Sequence, residues 1–454
     1  MTAGNLYYST NGRAPEVPFR EALLKGLAPD KGLYLPRRIP VLTENDLDRL
    51  REMDYPGLAA SILNRFTHED IGFDILSEMC HNIYTFDVPV ENVYDRKYIL
   101  RLDRGPTASF KDFAALLMGR LMQYFLKLSN RKITILTATS GDTGSAVANA
   151  FYGLDNINVV ILFPFDEVTE MQRKQMTTLK KNVRVYALSG KFDDCQRLVK
   201  EAFMDPVLSD KNLSSANSIN TGRLLPQSVY YFWSWLRCSS GNDDKAVFSV
   251  PSGNFGNLTG GILAREMGLP VSRFVISTNE NDEVPVYFNT GEYNIISPSR
   301  KCISSAMNVG HPSNMARIVT LYGGHMDEHG VLVKLPDLGK MVTDMYGVSV
   351  SDATTKSTME KVFRLHDVLL EPHGAVAWNG LMRYLNEAGG TTDRLLCISL
   401  ETAHPAKFPD ETEAALGVRP ELPPSLAEVK SKDEEYLFLD NDYEKLKEEI
   451  LKNY

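Results

Sequence analysis

Two stretches of this chain follow one pattern, and together they restrict its architecture more than any other feature. The β-branched run "KITILTAT" (132–139) passes through the glycine loop "SGDTG" into the helix-like "SAVANAFYGL". Likewise, "KAVFSVPSG" runs through "NFGN" into "LTGGILAREMG". The remaining segments keep alternating: "INVVILFP" predicts a strand, "TEMQRKQMTTLK" a helix, and "NVRVYALSG", "RFVISTN" and "RLLCISLET" further strands. Strands separated by helices pair in parallel, because a helical crossover returns the chain to the same end of the sheet. The expected fold class is α/β, with parallel sheets flanked by helices. Ligands in such folds bind beyond the C-terminal ends of the strands, where both glycine loops fall.

At 454 residues the chain exceeds one ordinary hydrophobic core, so about two or three domains are expected. Residues 1 to 95 read as an N-terminal domain with turns at Pro29-Asp30-Lys31-Gly32 and Tyr55-Pro56-Gly57. It closes on the extended-looking "YTFDVPVENVYDRKYILRL", ahead of the main sheet. The tail from about Pro420 is charged and helix-prone, which predicts a surface helix. An apolar fraction of 43% and a charged fraction of 24% are those of a soluble globular protein. A net charge of −9 argues against nucleic acid or a membrane surface as partner, so an anionic ligand would need local donors. No apolar run approaches the roughly 18–20 residues of a membrane span. The opening "MTAGNLYYSTNGRAPEV" lacks the basic-then-apolar order of a signal peptide. Cys80, Cys195, Cys238, Cys302 and Cys397 are scattered, without C-x-x-C. Reduced thiols in a cytoplasmic protein are expected, rather than a zinc ribbon or a disulfide frame.

Several constellations could carry chemistry. In "PSGNFGN" (251–257) two glycines turn consecutive N–H groups toward one point at a helix N-terminus, which suits a phosphate. The loop is neither G-x-G-x-x-G nor a Walker loop, and a plain strand-to-helix turn stays open. "TATSGDTGSA" (137–146) gathers Thr137, Thr139, Ser140 and Thr143 around two glycines and could hold a carboxylate or a second phosphate. It could equally be an N-capped helix, with Ser140 or Asp142 as the cap. "GGHMDEHG" (323–330) matches H-x-x-E-H through His325, Glu328 and His329, but its glycines favour a polar loop over a zinc helix. His404 in "ETAHPAKF" reads as a structural turn, and no G-x-S-x-G is present.

"GPTASFKDFAALLMG" (105–119) raises a different question. Phe110, Phe113, Ala114, Leu117, Met118 and Leu121 recur at helical spacing, with polar positions at Asp112, Arg120 and Gln123. Lys111 falls on an apolar flank with Ala114, Ala115, Met118 and Met122, at a helix N-terminus where the macrodipole opposes a cation. Such a lysine should have a depressed pKa, which is what a Schiff-base amine requires. A snorkelling lysine covering apolar surface stays open.

Five motifs, "GPTASFKDF", "TATSGDTGSA", "NSINTGRLLPQ", "VPSGNFGN" and "LETAHPAKF", occur in the order found in one family. With "GLAPDKGLYLP", "TNENDEVP" and "SSAMNVGHPSN", the chain from about residue 5 to residue 410 resembles threonine synthase of the bacterial and fungal type. That is a pyridoxal-phosphate (PLP) enzyme of fold type II, the tryptophan-synthase-β group. The resemblance implies PLP attached to Lys111, its phosphate on Gly253, Asn254, Phe255 and Asn257, and Thr402 facing the pyridine nitrogen. It suggests Ser140, Asp142 and Thr143 for the substrate carboxylate and Arg223 for the substrate phosphate, with no metal. It implies a PLP-dependent catalytic region over 96–410, made of two α/β subdomains with the active site between them, and a helical tail over 411–454 packed on it. Asn308 stands where the family often has Asp, which puts a local hydrogen bond in doubt.

The implied reaction, the last step of threonine biosynthesis, converts O-phospho-L-homoserine and water into L-threonine and phosphate. It proceeds by γ-elimination and β-addition of water, with Lys111 as the base at Cα. Premature water would divert the substrate to α-ketobutyrate, so closure over the site is expected. Two alternatives remain at this stage: a PLP-dependent phospholyase or dehydratase giving α-ketobutyrate, and a non-catalytic descendant of the fold. Vertebrate threonine-synthase-like proteins tend to read Ala-Ala at Asn254-Phe255, so "GNFGN" favours the synthase. The sequence leaves monomer and homodimer equally open.

Overall fold

The computed structural model describes residues 5–389 and 392–454. Residues 1–4 of the expected N-terminal domain lie outside the described residues. The strands foreseen from the alternating pattern all form, at Ile133–Ala138, Ile157–Pro164, Val183–Leu188, Ala246–Pro251, Val271–Thr278 and Leu396–Glu401. They sort into two sheets. The larger has six strands in the order Met345–Ser349, Val271–Thr278, Ala246–Pro251, Leu396–Glu401, Lys97–Arg101, Val90–Tyr94. All its pairs are parallel except the last. The smaller has five parallel strands in the order Leu437–Leu439, Val183–Leu188, Ile157–Pro164, Ile133–Ala138, Leu213–Ser214. Ile133–Ala138, Ala246–Pro251 and Leu396–Glu401 are buried at every position. A parallel sheet covered on both faces selects such continuous apolar runs rather than an alternation.

Three differences from the sequence reading have physical causes. The extended stretch near residue 95 does not merely precede the main sheet. Val90–Tyr94 and Lys97–Arg101 form a hairpin that supplies its antiparallel edge, so residue 95 lies in the hairpin turn. The tail is not one surface helix. Pro424–Lys430 and Tyr443–Asn453 are helices, and Leu437–Leu439 between them pairs in parallel with Val183–Leu188. Leu439, Leu446 and Ile450 join the core beneath the smaller sheet with Leu136, Val160, Leu188 and Leu198. Asp112, expected on the polar face of its helix, is 1% exposed, because the carboxylate turns back on Thr107.

The helix Lys111–Ser129 ends on Asn130 in the left-handed conformation and packs deep in the largest core. The N-terminal segment buttresses it. Tyr84 donates its hydroxyl to Phe113 O at 2.6 Å, and Tyr55 packs edge-on against Tyr84, Phe113 and Trp233. The start of the helix carrying Lys111 is therefore held by aromatic packing from outside both sheets.

Because the tail fills core volume, Leu446→Ala should destabilise the fold by about 2–5 kcal/mol, read as a lower midpoint in chemical denaturation. An unchanged midpoint would return the tail to a surface role.

Candidate active site

Three chain segments that leave strand ends or precede a helix meet at one buried cluster. Lys111 is the first residue of its helix, and its amine lies 3.6 Å from Asp142 Oδ2. Asp142 opens the helix Asp142–Phe151, just beyond the strand Ile133–Ala138. Its Oδ1 meets Lys407 Nζ at 2.7 Å and accepts from Gln172 Nε2 at 3.0 Å. Lys407 sits in the short turn Pro405–Lys407, beyond the strand Leu396–Glu401. It also donates to Thr107 O at 2.9 Å. Burial lowers the Lys111 pKa, Asp142 raises it, and the fields of Lys407 and Arg223 lower it, with a net shift downward. The depressed amine expected from the helix position thus forms, with burial as its main cause. Burial would push Asp142 up, but Lys407 and Lys111 together hold its carboxyl well below the usual carboxylate range.

The loop after Ala246–Pro251 is built to receive an anion. Phe255 takes the left-handed conformation at φ 59°, which turns the chain into the helix Gly256–Glu266. Among the described residues, no acceptor meets the N–H groups of Gly253, Asn254, Phe255, Gly256 and Asn257. Asn257 Oδ1 accepts from Tyr230 and Tyr231 hydroxyls, both at 2.7 Å, while its buried Nδ2 donates to nothing. Asn254 is pinned by Ser218 Oγ, by the Ser313 amide and by Asn314 Nδ2. A Cβ at Gly253 would stand 2.7 Å from Ala306 O and 2.9 Å from Met307 Cα, so only glycine fits beneath that turn. Ala306 N–H donates to His373 Nε2 at 3.0 Å, which puts the imidazole proton on Nδ1, donated to Glu371 at 2.5 Å. A helix N-terminus with consecutive unspent amides has the geometry and partial charge to receive a phosphate.

The loop 139–144 is the second such place. Thr139 Oγ1 accepts from the Gly141 and Gly144 amides, and Gly141, at φ 129°, occupies the cap position without a side chain. Neither Ser140 nor Asp142 caps the helix, because Asp142 is drawn to the two lysines. The Ser140 and Thr143 side chains are half-buried and have no partner among the described residues. Arg223 is buried and donates to Ala216 O, its Nε has no acceptor, and burial lowers its pKa to about 10. Thr402 is buried, and its carbonyl accepts from Phe110 N at 2.9 Å, tying it to the turn before Lys111.

Other sequence candidates fall elsewhere. His325 begins a two-residue strand, and Glu328 accepts from Asn11 at 3.1 Å, so the H-x-x-E-H spacing never lies on a helix. Among the described residues no group of His, Cys, Asp or Glu could hold a metal ion. His404 accepts from the Ala406 amide as a turn residue, and burial lowers its pKa to about 4. Asn308 accepts from Asn279 Nδ2 and the Cys302 amide and donates to Cys302 O, so an amide satisfies this position. Lys407 escaped the sequence reading, although a lysine three residues after His404 was visible in "ETAHPAKF". Arg317, fully buried on carbonyls of Tyr34, Ser218 and Ile219, gave no pattern at all.

Comparison with known proteins follows this geometry. A family profile described as "Threonine synthase N terminus" matches residues 6–84, one described as "Pyridoxal-phosphate dependent enzyme" matches 91–399, and "Threonine synthase, C-terminal" matches 375–450. The chain is 40% identical to threonine synthase of Haemophilus influenzae over 99% of this chain and 100% of that one. PLP-bound threonine synthase from Brucella melitensis superposes with a TM-score of 0.91 at 35% identity, covering 98% of this chain and 99% of that one. Threonine synthase from yeast superposes with a TM-score of 0.90 at 30% identity, covering both chains completely.

The site also sets a pH dependence. Asp112 accepts from the Thr107 amide at 2.8 Å and its hydroxyl at 2.6 Å, yet burial raises its pKa from 3.8 to about 6. The folded state then holds this proton more tightly than the unfolded chain, so its contribution falls as pH rises from about 4 to about 6, by about 2–3 kcal/mol. The unfolding free energy of the native chain relative to that of Asp112→Asn should fall across that window. A difference independent of pH would show that folding leaves the Asp112 pKa unshifted.

Proposed function

The chain belongs to the threonine synthase family of pyridoxal-phosphate-dependent enzymes, and from that premise we propose that it converts O-phospho-L-homoserine and water into L-threonine and phosphate. It is a fold-type II enzyme, a carbon–oxygen lyase acting on a phosphate ester, with pyridoxal 5'-phosphate as cofactor. The observation that carries the site assignment is the pairing of a lysine amine depressed by burial with a run of unspent backbone donors.

On this reading Lys111 binds the cofactor's aldehyde carbon, and the amides of Gly253, Asn254, Phe255 and Asn257 hold its phosphate. Thr402 faces its ring nitrogen, where a hydroxyl moderates the acceptor that a carboxylate would strengthen. When bound, the group supplies the electron sink that acidifies the substrate's Cα hydrogen. Lys111 Nζ, released by the substrate's amino group, takes that proton. With that sink in place, loss of a proton at Cβ would let the γ-phosphate leave, a proton would return at Cγ, water would add at Cβ, and a proton returned to Cα would complete threonine. We assign the substrate carboxylate to Ser140, Thr143 and the backbone amide of Asp142, because the Asp142 side chain is an acceptor already committed to two lysines. We assign the substrate phosphate to Arg223, whose unpartnered Nε suits an anion. As a working division we propose an N-terminal domain over 1–95, a catalytic region of two α/β subdomains over 96–410 and a tail over 411–454. The first boundary is better drawn before Val90, so that the edge hairpin stays whole. No helix among the described residues is long and apolar enough to cross a membrane, and five free cysteines support a cytoplasmic setting.

The decisive experiment supplies the purified protein with PLP and O-phospho-L-homoserine and identifies the products. Threonine and phosphate in equal amounts are expected, and α-ketobutyrate alone would make the protein a phospholyase. Lys111→Ala should lose both the borohydride-trapped cofactor and turnover, whereas substantial remaining synthase activity would remove Lys111 from the chemistry. Arg223→Lys should raise KM about tenfold or more with the cofactor spectrum unchanged. Loss of the spectrum instead would move Arg223 to the cofactor.

A further inference from the structure

Lys407 has no role in the assignments above, yet it is the closer of the two lysines on Asp142. Its fully buried amine is 2.7 Å from Asp142 Oδ1, while Lys111 is 3.6 Å from Oδ2. Thr107 O and Gln172 Nε2 complete this arrangement, the first accepting from Lys407 and the second donating to Asp142. One buried carboxylate therefore meets two lysines, and the tighter contact goes to the one that is not the attachment point. We propose that Lys407 is a positioning residue that occupies Asp142 and so prevents this carboxylate from holding Lys111 as a fixed ammonium. The proposal deepens the functional reading and rests on Lys111 being the cofactor lysine.

The argument is one of charge and geometry. With Asp142 alone beside it, a buried Lys111 would be stabilised in its charged form. Joining an aldehyde uses the Nζ lone pair to form the carbon–nitrogen bond, and the aldehyde oxygen leaves as water with the two amine protons. An ammonium cannot begin that step. Lys407 brings the Asp142 pair to neutrality, so a second ammonium on the same carboxylate gains much less than it would beside Asp142 alone. The charged groups that face Lys111 are Asp142 at the start of the helix Asp142–Phe151, Lys407 in the turn Pro405–Lys407 and Arg223 in the helix Thr221–Leu224. Two of the three repel it. Lys407 also reaches across to Thr107 O, in the turn that leads into Lys111, so it fixes where both partners of Asp142 stand.

The test needs no turnover. Apoprotein is mixed with PLP at a series of pH values between about 6 and 10, quenched with borohydride after a short fixed time, and the pyridoxyl label at Lys111 is measured by peptide mass. In Lys407→Met the pH of half-maximal labelling should rise by about one unit or more. Lys407→Met combined with Asp142→Asn should return to within about half a unit of the native chain, and Lys407→Arg should stay near native. An unchanged midpoint in Lys407→Met, or a double variant as displaced as the single one, overturns this inference and leaves the cofactor site standing. An absence of label in the native chain overturns both. Where Lys407→Met does not fold, Lys407→Gln takes its place with the same expected rise, and an unchanged midpoint there refutes the proposal.

Discussion

Everything at this site depends on one buried carboxylate shared by two lysines from distant parts of the chain. At an effective dielectric near 20, the Lys407–Asp142 pair 2.7 Å apart attracts by about 6 kcal/mol, and a charged Lys111 at 3.6 Å would attract by about 4–5 kcal/mol. Taking the ions out of water costs several kcal/mol per ion, so the Coulomb gain is largely offset. Neutral hydrogen bonds then decide whether the arrangement holds, and they are present: Thr107 O for Lys407 and Gln172 Nε2 for Asp142. Such a cluster tolerates little displacement, because a single charge that loses its partner keeps the full burial cost.

The fold meets that demand by lacing the segments together through the backbone. Phe110 N donates to Thr402 O at 2.9 Å and His404 N to Ala108 O at 3.0 Å, so the turn before Lys111 runs beside the segment after Leu396–Glu401. Gln172 serves both sides of the second glycine loop, receiving Ser145 on its carbonyl and donating to Asp142 from its amide. The anion loop is held from the 304–308 turn beneath it and from the two tyrosines beside it. Tyr230 joins this anion cradle to the cation cluster, its ring packed edge-on against Phe113 of the Lys111 helix while its hydroxyl holds Asn257.

Much of this was legible in the sequence, for reasons that can be named. Runs such as "INVVILFP" read as strands, and the structure places that strand at Ile157–Pro164, buried at all but Asn158. Lys111 betrayed itself by lying on an apolar flank at the wrong end of a helix. What stayed hidden depends on contacts between residues far apart in the chain. Asp112 looked polar because its partner, Thr107, lies outside the helix on a turn that no periodicity describes. Leu437–Leu439 looked like part of a charged tail because its partner strand lies about 250 residues away, where no local pattern can point. Lys407 carries no spacing signal, since its significance comes wholly from Asp142.

Charge adds a last argument. The chain carries a net −9, yet Lys111, Lys407 and Arg223 are brought together in its interior, and fully buried Arg317 braces the Ser218 side of the Asn254 loop through neutral carbonyls. Burial lowers Arg223 to about 10 and Arg317 to about 9, so both cations stand in surroundings that disfavour their charge. Asp142 faces Lys407 and Lys111, and Asp112, ionised above about pH 6, faces Arg223 and Lys407. A phosphorylated amino acid and a phosphorylated cofactor would be met here by buried cations and unspent backbone donors rather than by the charge of the surface. The outer field is screened beyond about 8 Å at physiological salt, whereas buried charges act at contact distance. The buried donors therefore matter more for binding an anion than the acidic surface does.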